Sequence, residues 1–295
     1  MSMNNWMKNI PDNFMLSDIN IPGSHNSCSK KVQFSYFSKC QDLTISQQLD
    51  IGIRFLDVRL EKYNQKLKTV HGVADCYVPL RKKENLLLDN VIKDCKAFLK
   101  ANPSEAIIFS VKRDDGASSE DTFDVFFENY LKNDTIWYKE NRIPALGEVR
   151  GKLILLNRCC VNTDSASFSD FNTGLNFSGW PDQSKFVKNG LSIVPIPRRD
   201  GKTREKFFLQ DMYKLSPKKK WHDAILPLLN EPPKDKGIIF NFFSSSNFFH
   251  TPRKCAKYIS KRFVKYNLQH FKKYGWIILD FPTEKICQKI ILSNF

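Results

Sequence analysis

Two histidines sit where short apolar runs end, and each has charged residues placed to work with it. His25 follows the turn-forming triplet Ile21-Pro22-Gly23 after the run Leu16–Ile21, and His71 closes the run Leu67–His71 ahead of Gly72. In Ile53–Leu60 the two-residue period of a strand puts Ile53, Phe55, Asp57 and Arg59 on one face. Arg54, Leu56, Val58 and Leu60 share the other. An aspartate and an arginine on an otherwise apolar face must pair or work, because burying either alone is costly. Lys112, Arg158 and Asp280 end three further runs: Ala106–Lys112, Lys152–Arg158 and Trp276–Asp280. Two imidazoles that exchange protons near neutrality, set among cations, suit acid–base chemistry on an anionic substrate. Singly, each residue has a blander reading: a lone histidine usually makes a structural hydrogen bond, and Asp57–Arg59 alone would be a core ion pair. Their joint placement at strand ends favours chemistry. His222, His250 and His270 lie in basic helical or loop stretches and are bystanders.

The runs that carry these residues must deliver them to one place. With Leu191–Ile196 and Ile238–Phe243 they make eight candidate strands. Between them lie helical patterns at Glu84–Lys100, Glu120–Leu131, Pro217–Leu229 and Pro252–Tyr274, the last capped by Thr251 and stopped by Gly275. Strand and helix in alternation predict an α/β chain, a single distorted TIM (β/α)8 barrel domain over residues 1–295. Such barrels hold their active sites at the C-terminal ends of the strands, where the ionisable residues fall. The Ser/Asn/Asp-rich stretch 162–184 reads as a long loop on the rim of a cleft.

Composition narrows the partners. Of 295 residues, 46 are Lys or Arg and 31 Asp or Glu, a net charge of +15, and 24 are Phe. A chain 41% hydrophobic buries a core, which excludes disorder. No apolar run approaches the roughly 20 residues of a membrane span. The polar first 25 residues, with Asp12 and Asp18, do not read as a secretory signal. The eight cysteines form no CxxC pair, and Cys159-Cys160 is an awkward start for a disulfide, so reduced thiols and a cytoplasmic setting are expected. A secreted form is expected only if a signal was trimmed before Met1. Between Lys236 and Leu279 lie nine Lys/Arg and no acid. That run is either a solvated helix face or, with Phe248 and Phe249 just ahead of it, a docking surface for an anionic membrane. No motif of the nucleic-acid-binding kind accompanies it.

The order of short motifs is specific. Ile21-Pro22-Gly23-Ser24-His25-Asn26-Ser27, Gln48 to Arg59, His71-Gly72, Phe109-Ser110-Val111-Lys112, Gly151 to Arg158, Trp180-Pro181-Asp182, Gln210-Asp211-Met212-Tyr213 and Gly275 to Asp280 resemble phosphatidylinositol-specific phospholipase C, the X domain, in its small bacterial form. The likeness runs through nearly the whole chain. It implies that His25 removes the proton of the inositol 2-hydroxyl with Asp280 orienting it, that Arg59 binds the phosphate, and that His71 protonates the leaving diacylglycerol oxygen. Asp57 would hold the Arg59 side. Lys112, Arg158 and Asp211 would bind inositol hydroxyls and Tyr213 the ring face. The products would be diacylglycerol and inositol 1,2-cyclic phosphate.

One position departs from the bacterial pattern: Asn26 stands where an aspartate is usual. Asn belongs to the calcium-dependent branch, but that branch needs carboxylates where this chain has Arg59 and Lys112, so no metal and no cofactor is expected. Asn26 is expected to orient His71 while stabilising its charged form less. Phosphatidylinositol is the first substrate and the glycan-anchored lipid the second, since Lys39 to Ile45 also resembles protozoan relatives. A catalytically weak domain that only binds anionic membranes or inositol lipids is the alternative. No protein partner is implied, and a monomer is expected.

Overall fold

The computed structural model describes residues 2–114, 120–159, 172–184, 190–197 and 205–295, with the side chains of 120 and 121 left aside. Twelve strands appear among them: β1 Ile21–Ser24, β2 Phe55–Tyr63, β3 Lys66–His71, β4 Ala74–Asp75, β5 Ile107–Arg113, β6 Trp137–Tyr138, β7 Leu153–Asn157, β8 Leu175–Asn176, β9 Ser192–Pro195, β10 Lys206–Gln210, β11 Ile238–Phe242 and β12 Trp276–Leu279. They form one sheet in the order β6-β7-β5-β2-β1-β12-β11-β10-β9, with β8 also on β7 and the β3–β4 pair appended to β2. Nine of them run parallel, and since β6 and β8 both pair with β7, eight serve as staves: β8, β7, β5, β2, β1, β12, β11 and β10. Side chains from all eight meet in one interior cluster that includes Ile21, Phe55, Ile108, Ile154, Leu175, Phe207, Phe240 and Trp276. A sheet whose alternate residues all reach one interior is curled, as the barrel reading requires. The curl is not stitched shut: among the described residues, no ladder joins β8 or β6 to β9 or β10.

The tight spot of the curl explains one glycine. A Cβ on Gly23 would stand 2.9 Å from Phe55 Cβ, so β1 could not approach β2 with any larger residue there. On the outer face, Leu56, Val58 and Leu60 pack with Val91, Cys95 and Leu99 of the helix Leu88–Ala101. Arg54 also faces outward, fully buried with Glu105 at 2.9 Å. Removing either partner would strand a buried charge.

Several elements differ from expectation. The apolar run Leu16–Ile21 is a 3-10 turn, Leu16–Asp18, and the strand is shifted forward to Ile21–Ser24. Leu16 and Ile19 join the interior cluster instead of the ladder. The runs at Leu67–His71 and Leu191–Ile196 are strands, but both are antiparallel hairpin partners, of β2 and β10. The staves that complete the eight are β8 and β10. The basic helix spans Pro252–Lys265, capped by Thr251, whose Oγ1 accepts from Lys254 N at 3.4 Å. It ends at extended Tyr266, so Lys272 and Lys273 lie outside it. Part of the expected rim loop, 162–171, lies outside the described residues, as do Cys160, Arg198 and Arg199. The seven described cysteines are buried and unbridged. Among the described residues no helix is long and apolar enough to cross a membrane.

Candidate active site

Parallel staves point the same way, and residues in or just beyond their C-terminal halves converge on a cleft of about 520 Å³. β1 delivers His25, β2 Arg59, β5 Lys112 and Asp114, β7 Arg158, β10 Asp211 and Tyr213, and β12 Asp280. His71 arrives from the antiparallel β3, which the hairpin carries back to the same mouth. Asp57 and Asn26 are buried beneath these residues.

The chain of contacts assigns the hydrogen-bonding role of each His25 ring nitrogen. Asp280 Oδ1 lies 2.7 Å from His25 Nδ1, and Arg59 Nη2 lies 2.9 Å from His25 Nε2. Guanidinium can only donate, so Nε2 is an acceptor and the ring proton sits on Nδ1, donated to Asp280. The lone pair of Nε2 therefore faces the cleft beside a cation. That is the tautomer a general base needs.

Arg59 is held from below and from the side. Its Nε and Nη2 donate to Asp57 Oδ2 at 3.3 and 3.2 Å, and its Nη1 donates to Asp114 Oδ2 at 3.0 Å. Burial works against the arginine's charge, but Asp57 and then Asp114 outweigh it and strengthen its hold on the proton. Burial likewise pushes the Asp57 carboxyl up, yet Arg59, Arg158 and His25 hold it well below the carboxylate range. Asp114 also accepts from Gly72 N at 2.8 Å and, through Oδ1, from Lys112 Nζ at 3.0 Å. One carboxylate thus ties together the arginine, the lysine and the turn that follows His71.

His71 faces His25 edge-on, with ring centroids 6.0 Å apart. Its Nδ1 lies 2.6 Å from Ser38 O, an obligatory acceptor, so Nδ1 donates and Nε2 is left for the cleft. Burial, then Arg59 and His25, lower its pKa from 6.5 to about 4. Asn26 does not do the orienting expected of it. Its backbone N–H donates to Asp57 Oδ2 at 3.1 Å, and its side-chain amide nitrogen is buried without a hydrogen-bond partner. The Ser38 carbonyl orients His71 instead.

The far side of the cleft is built of stacked and paired side chains. The Arg158 guanidinium lies 3.8 Å over the Trp180 ring, and Trp180 Nε1 donates to Asp211 Oδ2 at 3.3 Å. Tyr213 OH donates to Asp182 Oδ1 at 2.7 Å. Beneath them, buried Lys220 donates to Gln210 Oε1 at 2.6 Å and Met212 O at 3.1 Å, bracing both neighbours of Asp211. Asp114, Trp180, Asp182, Lys220 and the Ser38 carbonyl were not singled out from sequence as functional. Asp114 is the first of two adjacent acids, Asp114-Asp115, just past Lys112, so the sequence alone does not mark it out.

Comparison with known proteins fits this constellation. The model of the phosphatidylinositol-specific phospholipase C, X domain, matches residues 13–159. Residues 13–159 belong to this family. The 1-phosphatidylinositol phosphodiesterase of Listeria monocytogenes is 26% identical, over 98% of this chain and 84% of its own length. The enzyme of the same name from Staphylococcus aureus is 28% identical, over 99% and 95%. A solved structure of a mutant of the phosphatidylinositol-specific phospholipase C from Staphylococcus aureus superposes with a TM-score of 0.79 at 27% identity, covering 100% of this chain and 97% of that one. The family fold accounts for the curled parallel sheet, and the X-domain match contains His25, Asp57, Arg59, His71, Lys112, Asp114 and Arg158.

Proposed function

We propose that this protein is a phosphatidylinositol-specific phospholipase C that cleaves its substrate without metal. The observation that carries the reading is the line Asp280–His25–Arg59, at 2.7 and 2.9 Å, with His71 facing it across the cleft. His25 Nε2 takes the proton of the inositol 2-hydroxyl, and Asp280 stabilises the imidazolium so formed. The freed oxygen attacks the adjacent phosphorus, and Arg59 stabilises the charge building on the phosphoryl oxygens. His71 Nε2–H gives its proton to the departing diacylglycerol oxygen. The products are diacylglycerol and inositol 1,2-cyclic phosphate. After burial, the Arg59 charge does most to keep His71 neutral, and the substrate's phosphate offsets that charge, so substrate binding itself draws a second proton onto His71 at Nε2.

A calcium ion does not fit. Its six to eight oxygen ligands would have to replace Arg59 and Lys112, and both cations are already clamped by Asp114. Lys112, Arg158 and Asp211 bind ring hydroxyls and Tyr213 covers the ring.

The mouth also presents a lipid-facing rim. Phe248 and Phe249, 90% and 77% exposed, precede Pro252 of the cleft lining. Phe34, Tyr36 and Phe37, each over 60% exposed, precede Ser38, the residue that holds His71. Two aromatic clusters flanking one opening, with Lys254 and Lys257 exposed beside one of them, are what an anionic lipid surface would meet.

The test is to incubate the protein with phosphatidylinositol vesicles in EDTA and follow inositol cyclic phosphate. Product in EDTA supports the reading. Activity that vanishes in EDTA sinks its metal-free part, and vesicle binding with no product favours a lipid-binding module instead.

A further inference from the structure

The reaction above makes no use of Cys40, a fully buried residue on the floor of the same cleft. Its Sγ, a ring nitrogen of His25 and a carboxylate oxygen of Asp280 all lie within 4.8 Å of one another. Among the described residues this is the one such grouping of three potential metal ligands. A thiolate, an imidazole and a carboxylate are the donors zinc takes, at about 2.3, 2.0 and 2.0 Å. A tetrahedron with those bonds sets its donors roughly 3.3 to 3.6 Å apart. The 2.7 Å His25–Asp280 contact must therefore open by about half an ångström, and the thiol must close by about 1.3 Å at most.

We propose that these three residues form an inhibitory site for a thiophilic divalent cation, zinc above all. The thiol loses its proton to solvent, and the sulfur, His25 Nδ1 and Asp280 each donate a pair of electrons to the metal. Thiolate and carboxylate together neutralise the ion's two charges. A water from the cleft fills the fourth position, as in zinc sites with three protein ligands. Metal on Nδ1 forces the single proton of the neutral imidazole onto Nε2. Nε2 then has no lone pair for a substrate hydroxyl, and its new N–H points at Arg59 Nη2, now 2.9 Å away, so the arginine is displaced as well. Calcium and magnesium, which avoid thiolate, do not substitute.

The effect on activity rests on His25 being the base of the proposed reaction, whereas the site itself does not. The metal-free protein is titrated without lipid, with zinc against a chromophoric chelator and with cobalt by absorption. One ion per chain, one proton released and a thiolate-to-cobalt charge-transfer band are expected. In vesicle assays zinc at the same concentration should abolish cleavage, and calcium should not. Cys40→Ser, with Cys40→Ala as the variant that adds no polar atom to the buried position, should keep the metal-free activity and lose the band. Its zinc affinity and zinc sensitivity should both fall by roughly tenfold or more. Absence of the band in the unaltered protein, full activity with one zinc bound, or undiminished inhibition of both variants would overturn the proposal. If the chain cleaves no phosphatidylinositol at all, the spectrum and the chelator titration still decide whether the site exists.

Discussion

His71 is the residue whose protonation is most displaced by its surroundings relative to its task, and unfolding measures the displacement directly. In the fold its pKa is lowered from 6.5 to about 4, first by burial and then by Arg59 and His25. In the unfolded chain the ordinary 6.5 returns. The unfolded state therefore binds the extra proton across that window, and stability falls as pH drops from 6.5 toward 4. Between about pH 7.5 and about pH 4.5 this one linkage costs about 2.5 kcal/mol. The perturbation is His71→Gln, whose amide still offers Ser38 O a donor but does not titrate. Urea unfolding of both proteins at the two pH values isolates the effect, because every other titrating group is common to both. The unaltered protein should lose about 2.5 kcal/mol more than the variant on acidification. A parallel loss, within about 0.5 kcal/mol, would show that His71 is not held neutral, and the argument that substrate brings its proton would fall with it.

Asp114→Asn should lower kcat/KM by about a hundredfold, since Arg59 and Lys112 both lose their shared carboxylate, and a change below about threefold would refute that role. Replacing Phe248 and Phe249 together by serine should weaken binding to phosphatidylinositol vesicles by about tenfold or more while leaving cleavage of a soluble inositol phosphodiester unchanged, and sedimentation with vesicles checks it. Lys220, with its pKa lowered by burial from 10.5 to about 7, keeps fewer protons folded than unfolded above neutrality. Stability should thus rise by about 3 kcal/mol between about pH 7 and about pH 9.5, and Lys220→Met should abolish the rise.

Much of the site was legible because polar residues stood where apolar ones belong. Asp57 and Arg59 declared themselves on the inward face of β2, and His25, His71, Lys112, Arg158 and Asp280 by ending apolar runs. What escaped was set by contacts between distant segments. Asp114 looks ordinary until β5 lies beside β2, with Arg59 opposite Lys112 in register. The partner of His71 is a backbone carbonyl, which no side-chain pattern reports. Asn26 was assigned a task by analogy, yet its left-handed backbone, φ 47, turns its N–H to Asp57 and buries its amide. Strand boundaries failed for the same kind of reason. Pro22-Gly23 reads as a turn, but the close approach of Phe55 requires a glycine inside β1. β8 has two residues and β10 five, too few for periodicity to single them out.

The gap in the ladder has a consequence for how the cleft can change. β1 and β12, which carry His25 and Asp280, lie in the middle of the strand order, hooped on both sides by backbone hydrogen bonds. Trp180 and Asp182 follow β8, and Asp211 and Tyr213 follow β10, the last parallel staves on either side of the gap. Across the gap the described residues touch through ring packing, Phe177 against Phe207 at 4.5 Å and Trp180 stacked on Phe207 at 5.5 Å, and through side-chain hydrogen bonds, Trp180 Nε1 to Asp211 Oδ2 at 3.3 Å, Tyr213 OH to Asp182 Oδ1 at 2.7 Å and Gln183 Nε2 to Leu209 O at 3.0 Å. A cask with one hoop missing can change its girth at that point alone. Among the described residues the cleft wall at the gap is held by side chains alone, whereas the staves that carry His25 and Asp280 are bound by backbone ladders on both sides. A substitution among those side chains can therefore reshape the far wall without touching the ladders that set His25 against Asp280.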